Sequence, residues 1–387
     1  MKIIIATHDT KEQAIICIYM ANQRMPTEKA YGIQIAKMCE AFASLGLNVK
    51  LIIPKRSNPS GKDVFEYYGI KKSFLIKKVS SLDFYLPGRF DKLAFATKSF
   101  LSANLLAVHS IFSKSDIVYS RDELPVYILS FFRKNIFFEA HKFSKKRRVF
   151  YDRFKKAGIK VIVISQGLKD EFIKFGFPPE RVLLAPDGVD LENFNLNLSC
   201  EEARNGIGLP LDRKIIMYTG QLFPWKGADI VAKAAEALPG CLFVFVGGVG
   251  EYLDDFKNKF SGRENIIILG QKSYKEIPVY LKAADVLVLP NSAKEEISRF
   301  YTSPLKLFEY MASRRPIVGT TLPSLEGILS KDNSVLVEPD NYQKLADGIK
   351  FVLKYPNEAQ KLAERAFEEV KNYTWQKRAE KILKFIR

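Results

Sequence analysis

Apolar and polar positions fall in blocks along this chain, and the blocks alternate in character. Residues 2–6 read as a strand, followed by a polar loop. From residue 30 to 45, Ile35, Met38, Cys39, Phe42 and Leu45 recur at helical spacing, and Gly46 stands where a helix C-cap belongs. A continuous apolar run at 49–53 predicts a second strand, which makes a βαβ unit with parallel strands. Further strands are predicted at 117–119, 136–138 and 161–164, and residues 93–112 read as an amphipathic helix. The second half repeats the pattern more clearly, with apolar runs at 215–218, 242–246, 266–269, 286–289, 317–318 and 335–337 and helical stretches between most of them. Runs apolar on both faces are what a parallel sheet covered by helices requires. The expectation is an α/β protein with two layered units, one per half.

Length agrees with that division, since 387 residues are more than twice a typical domain of about 150. The predicted limits are 1–195 and 196–372, with a terminal helix over 373–387 packing back towards the first unit. Charge changes the picture further. Sixty Lys and Arg against 43 Asp and Glu give a net +17, which implies attraction to an anionic partner: nucleic acid, a membrane surface or a phosphorylated substrate. Residues 141–160 carry Lys142, Lys145, Lys146, Arg147, Arg148, Arg153, Lys155, Lys156 and Lys160, interleaved with Phe143, Phe150, Tyr151 and Phe154. A second group is Lys71, Lys72, Lys77 and Lys78 around Phe74 and Leu75. Basic clusters mixed with large apolar residues suit the surface of an anionic bilayer, with a long acidic glycan as the competing partner. No nucleic-acid recognition motif of the common types is present, and the interleaved aromatics read as core or membrane-face residues. The four cysteines are scattered without metal-ligand spacing and read as structural thiols in a reducing compartment. His8 and Asp9 leave no room for a signal-peptide apolar region, and no run matches a membrane span. A cytoplasmic protein lying peripherally on the inner membrane face is expected.

The segment Thr302-Ser303-Pro304-Leu305-Lys306-Leu307-Phe308-Glu309-Tyr310-Met311-Ala312 carries the most chemistry. Ser303 reads as an N-cap and Pro304 as the first helical residue, just after the 286–289 strand and its loop. A helix N-terminus beyond a strand's carboxyl end collects anions, and its free N–H groups could hold a diphosphate without a metal. Glu309, over one turn inside, is placed to accept hydrogen bonds from a ribose diol. An ordinary capped helix with a surface Glu is the competing reading.

This segment resembles the signature of the family 4 retaining glycosyltransferases of the GT-B fold, whose two Rossmann-like domains carry parallel sheets facing a central cleft. The resemblance implies Glu-x7-Glu, with Glu309 as the ribose-binding second Glu and Tyr301 standing where the first Glu contacts the donor sugar. Ser303, Pro304 and Leu305 would then line the donor site. Tyr218-Thr219-Gly220-Gln221-Leu222 followed by Lys226-Gly227 is similar to the family's strand, loop and Lys-Gly element. There the Lys contacts the donor diphosphate, and Gln221 replaces a common Arg. Val246-Gly247-Gly248-Val249-Gly250 resembles its Gly-rich turn. Ser165-Gln166-Gly167-Leu168-Lys169 and Asp187-Gly188-Val189-Asp190 resemble hinge and packing elements, and Tyr373-Thr374-Trp375 precedes the last helix as in the family. His141 matches a His beside the donor sugar, and Tyr31 with Gly32 falls at the acceptor-side loop.

The resemblance implies transfer of a sugar from a UDP- or GDP-linked donor to an acceptor hydroxyl, with retention at the anomeric carbon and domain closure over the donor. No cofactor and no metal is called for. Catalytic weight would fall on His141, Lys226 and Glu309, and a lipid-linked or cell-surface glycan precursor is the expected acceptor. The alternatives are an epimerase or hydrolase on the same fold, a non-enzymatic polyanion-binding protein, and a catalytically silent relative.

Overall fold

The structure, a computed structural model, describes residues 14–58, 60–84, 90–194 and 196–387. The strand predicted at 2–6 lies outside them. The first sheet holds β1 (Ile16–Met20), β2 (Asn48–Pro54), β3 (Leu75–Val79), β4 (Ile117–Ser120), β5 (Ile136–Ala140), β6 (Lys160–Val163) and β7 (Val182–Leu184). Its order is β3-β2-β1-β4-β5-β6-β7, and every pair is parallel. The second sheet holds β8 (Lys214–Thr219), β9 (Cys241–Val246), β10 (Ile266–Gly270), β11 (Val286–Leu289), β12 (Ile317–Thr320) and β13 (Val335–Val337). Its order is β10-β9-β8-β11-β12-β13, again all parallel. In both sheets the chain starts centrally, winds one way and then reverses, so β1/β4 and β8/β11 are topological switch points, where ligands of open α/β sheets bind.

The two-sheet α/β architecture expected from the alternating pattern is present. The polar loop expected ahead of the first helix is corrected: it contains β1, the central strand, flanked by both β2 and β4. Ile16–Met20 is apolar and buried from Cys17 onwards, as a strand covered on both faces must be. A short apolar run between polar stretches is easily read as part of a loop. β3 escapes notice for the opposite reason. It is an edge strand carrying Lys77 and Lys78, the polar dressing that keeps an edge from pairing with other chains.

The helix Ala30–Ser44 buries Ile35, Met38, Cys39 and Phe42 against the first sheet. After β7 the chain crosses to the second sheet and later returns. Val189 N–H donates to the Tyr373 carbonyl at 2.9 Å, tying the outgoing and returning strands together. The last helix, Trp375–Ile386, inserts Trp375, Ala379, Ile382 and Leu383 into the core of the first sheet beside Phe42 and Met38. Cys17, Cys39 and Cys241 are buried, and all four cysteines are free. Burial pushes the Cys17 thiol up to about 12, so it is not a reactive thiolate.

Two surface features differ from a simple reading of the pattern. In the 141–160 stretch, Tyr151 and Phe154 are fully buried core residues, so those aromatics do not form a membrane face. The helix Asp91–Phe112 does form, turning Ala94, Leu106 and Ala107 inward. Its outer face is not polar, however: Leu93, Phe95, Phe100, Leu105, Val108 and Phe112 are exposed, Phe112 by 85 %.

Candidate active site

The candidate donor site is built at the β8/β11 switch point. β8 ends at Thr219, and the chain then turns through Gly220, Gln221 and the short helical turn Pro224–Lys226. Gly227 follows with φ +74°, and a Cβ there would lie 1.8 Å from the Pro290 carbonyl oxygen at the end of β11. Only glycine lets the Lys226 turn sit this close to the strand end. Gly247 serves likewise after the neighbouring strand β9, since its Cβ would meet the Gly220 carbonyl oxygen at 2.3 Å. Gly248 abuts Leu222.

Lys226 is half-buried, its Nζ 5.2 Å from the Trp225 ring centroid. Burial pushes it down to about 8, against the pull of Glu309. The helix Leu305–Ala312 brings Glu309, which is buried, accepts from the Tyr274 hydroxyl, and is pushed up to about 7 by desolvation. The same helix brings Lys306, three residues before Glu309 and hence on the same face. Lys306 is 7 % exposed, and its Nζ lies 3.9 Å from the Tyr218 ring centroid with no hydrogen-bond partner among the described residues. Burial, then the charge of Lys226, holds it well below the ordinary lysine range. A half-buried and a buried lysine thus share one buried carboxyl in a low-dielectric wall.

Local capping differs from the expectation. Pro304 is the N-cap residue and its carbonyl accepts from Leu307 N–H at 2.9 Å. Ser303 Oγ instead accepts from Asp187 N–H at 3.0 Å, across the crossing between the two sheets. With its hydroxyl engaged there, Ser303 leaves the helix's first N–H groups uncapped by any side chain. Leu305 packs against the first sheet's core. Tyr301 closes a π-helical turn, Ile297–Tyr301, and packs on the apolar cluster that includes Leu168 and Phe172. The charges that act on its hydroxyl are Glu171 and Glu296, not Lys226 or Glu309. Ser165 Oγ donates to the Phe300 carbonyl at 2.8 Å, which pins this turn to the other half. Gln221 lends its backbone carbonyl to the Tyr218 hydroxyl at 2.8 Å.

His141 belongs to a second cluster, at the carboxyl end of β5. Its Nε2 lies 2.6 Å from Glu139 Oε1, and Glu139 is wholly buried. Gln34 and Tyr119 also donate to this carboxylate, and Arg378 from the last helix lies 3.0 Å away. Burial alone would raise Glu139, but Arg378 and His141 hold it well below the usual carboxylate range. For His141, burial and then Arg121 outweigh Glu139 and bring the ring down to about 4. The imidazole is therefore neutral near pH 7, and Glu139 accepting from Nε2–H leaves Nδ1 as the acceptor nitrogen. Asp187 completes the cluster, raised to about 7 by burial against Arg378. Gly32 is accounted for by packing: a Cβ there would meet the Tyr68 hydroxyl at 1.9 Å. Tyr31 lies under Arg121, whose Cζ is 6.0 Å from the ring centroid.

Between the halves runs a cleft of about 420 Å³, lined by Arg24, Thr27, Glu28 and Tyr67 on one side and Val249 and Gln271 on the other. Lys306, Tyr274, Glu139, Arg378 and Gln271 are not singled out by the sequence. Lys306 has a local signal, a lysine between Leu305 and Leu307 on an otherwise apolar helix; the others have none.

Residues 32–193 match the family described as Glycosyltransferase Family 4, and residues 199–369 match Glycosyl transferases group 1. The chain belongs to the family 4-like glycosyltransferases of the GT-B fold. A Bacillus subtilis (strain 168) glycosyltransferase named for teichuronic acid biosynthesis, TuaC, is 30 % identical over 193 residues, 49 % of this chain and 45 % of its own length. An uncharacterized glycosyltransferase of Methanocaldococcus jannaschii is 26 % identical over 226 residues, 56 % of each chain. The chain thus spans about half the length of these two relatives. A D-inositol 3-phosphate glycosyltransferase of Corynebacterium urealyticum is 22 % identical over 92 % of this chain and 89 % of its own. Among solved structures, sucrose-phosphate synthase from Thermosynechococcus elongatus superposes with a TM-score of 0.76 at 17 % identity, covering 96 % and 98 % of the two chains. Anabaena HepE, solved in complex with UDP and glucose, gives 0.75 at 16 % identity, covering 95 % and 98 %. Both share the fold.

Proposed function

We propose that this chain transfers a sugar, with retention, from a nucleoside-diphosphate sugar to an acceptor hydroxyl. The observation that carries this reading is the meeting of Lys226 and Glu309 beside an uncapped helix N-terminus at the β8/β11 switch point. Lys226 and the first N–H groups of the Leu305–Ala312 helix hold the diphosphate, with no metal required, and Glu309 accepts from the ribose hydroxyls. Gly220, Gly247 and Gly248 give the diphosphate close access to the backbone. As the anomeric carbon–oxygen bond breaks, its electron pair passes to the diphosphate oxygen, where Lys226 meets the developing charge. The acceptor oxygen bonds the anomeric carbon from the same face and passes its proton to the departing diphosphate oxygen, which has become basic as it took up that electron pair. His141, through Nδ1, accepts from a sugar hydroxyl rather than acting as the base. HepE, which shares the fold, was solved with UDP and glucose, and this supports the same donor class here.

The test is thermal stabilisation by UDP, GDP and ADP, then nucleotide release with and without candidate acceptors. A ligand at 100 times its Kd adds about 2.7 kcal/mol. Stabilisation by one nucleotide, with acceptor-dependent release of it, is the expected result. Release without any acceptor would instead mean a hydrolase, and no response to any nucleotide would sink the donor reading.

The acceptor is proposed to be a lipid-linked or cell-surface glycan precursor reached from an anionic membrane surface. Among the described residues no helix is long and apolar enough to cross a membrane. The Asp91–Phe112 helix nevertheless exposes Leu93, Phe100, Leu105 and Phe112 with no acidic residue after Asp91, and exposed Lys145, Lys146 and Arg148 lie on the same half. Apolar insertion combined with basic contacts is how a protein lies on an anionic bilayer. Flotation with vesicles containing anionic lipid is expected for the wild type and lost in Leu93→Ser/Phe100→Ser/Phe112→Ser. Flotation unchanged by this triple variant would remove that face from the proposal.

A further inference from the structure

One group in the donor pocket has no role in the reading above. Lys306 buries its Nζ without a hydrogen-bond acceptor among the described residues, and a charge on it there is costly unless an anion pairs with it. Its stem runs beside Gly220, whose Cβ would stand 3.8 Å from Lys306 Cδ, so the side chain reaches the turn that presents Gln221. Gln221 is neutral and has its carbonyl occupied by Tyr218. The Tyr218 ring supplies a π face to the ammonium, and the carboxylate acting on it is Glu309, shared with Lys226 and the Tyr274 hydroxyl. A structural lysine would have taken its own acceptor or reached solvent.

We propose that Lys306 is a second phosphate-binding cation of the donor site, acting with Lys226 on the diphosphate. This rests on the donor reading of the same pocket. A diphosphate carries more charge than one ammonium neutralises, and two cations from different elements, the 224–226 turn and the 305–312 helix, grip it from two sides. The electrostatics of the pocket support this. Burial depresses both lysines, the charge of Lys226 depresses Lys306 further, and an arriving dianion relieves both.

The experiment compares wild type, Lys306→Met and Lys306→Gln by thermal shift and calorimetric titration with UDP, GDP and the matching nucleosides. Met fills the same volume without charge. Two results are expected together. Diphosphate affinity falls roughly 10- to 100-fold while nucleoside affinity is unchanged, and the ligand-free variant melts at a higher temperature because a costly buried charge is gone. A variant that melts lower and binds UDP or GDP like the wild type would make Lys306 a structural partner of Tyr218 and overturn the proposal alone. Equal losses for nucleoside and diphosphate would overturn it too. A wild type that responds to no nucleotide would overturn it together with the donor reading. If Met disturbs the pocket, Gln provides the same comparison with a polar head.

Discussion

Lys226→Ala is expected to lower kcat for sugar transfer by roughly two to three orders of magnitude, the usual loss when one preorganised donor to a developing anion is removed. The effect should fall on kcat more than on KM, because charge on the leaving diphosphate grows as the anomeric bond breaks. A kcat equal to that of the wild type would take Lys226 out of the reaction. The same residue sets a pH signature. Pushed down to about 8 by burial, Lys226 holds the diphosphate as a cation only below that value. Nucleotide affinity in the wild type should therefore fall as pH rises through about 8. Glu309, raised to about 7, acts the other way below that value, because its carboxylate accepts from the ribose hydroxyls more strongly once it is ionised. Lys226→Arg keeps its charge across this range, so the upper limb should vanish while the lower one stays.

Arg378→Met is expected to destabilise the protein by about 3–5 kcal/mol, since it leaves the wholly buried Glu139 without its main counter-charge. Denaturation midpoints measured in urea will read this loss. Adding Glu139→Gln should restore most of it, because the unpaired charge is then gone. If the double variant is as unstable as Arg378→Met alone, the cost lies in packing of the last helix, not in the charge pair. His141 gives a separate readout. Freed from Arg378 repulsion but still beside Glu139, its ring should titrate above about 4 in Arg378→Met, which NMR of the imidazole resolves.

Local signals carried most of the architecture and about half of the site. Repeated apolar runs specify parallel strands wherever both faces are covered, so β8 to β13 were legible in order. Lys226 and Glu309 stood in short motifs whose spacing survives folding. Ser303 misled because its residue type suits an N-cap, whereas its hydroxyl is claimed by Asp187, 116 positions away. Tyr301 was legible only as a position in a motif. Its packing on the other half depends on a π-helical turn that spacing does not encode. The Glu139–Arg378 pair spans 239 positions, and nothing near either residue announces the other. Lys306 was in plain view, but a lysine on a helix ordinarily reaches for water, and only the packed wall over Tyr218 makes it a buried charge.

The placement of the last helix bears on how this protein is made. Trp375, Ala379, Ile382 and Leu383 belong to the core of the first sheet, although the whole of the second sheet and its helices come between. A chain leaving the ribosome usually completes its N-terminal domain first. Here that domain must wait for the final helix before its apolar wall closes, while the second half, with its own cores, is already whole. The half that emerges first is therefore the last to be finished, and until then it presents an open apolar surface to the chaperones of the cell.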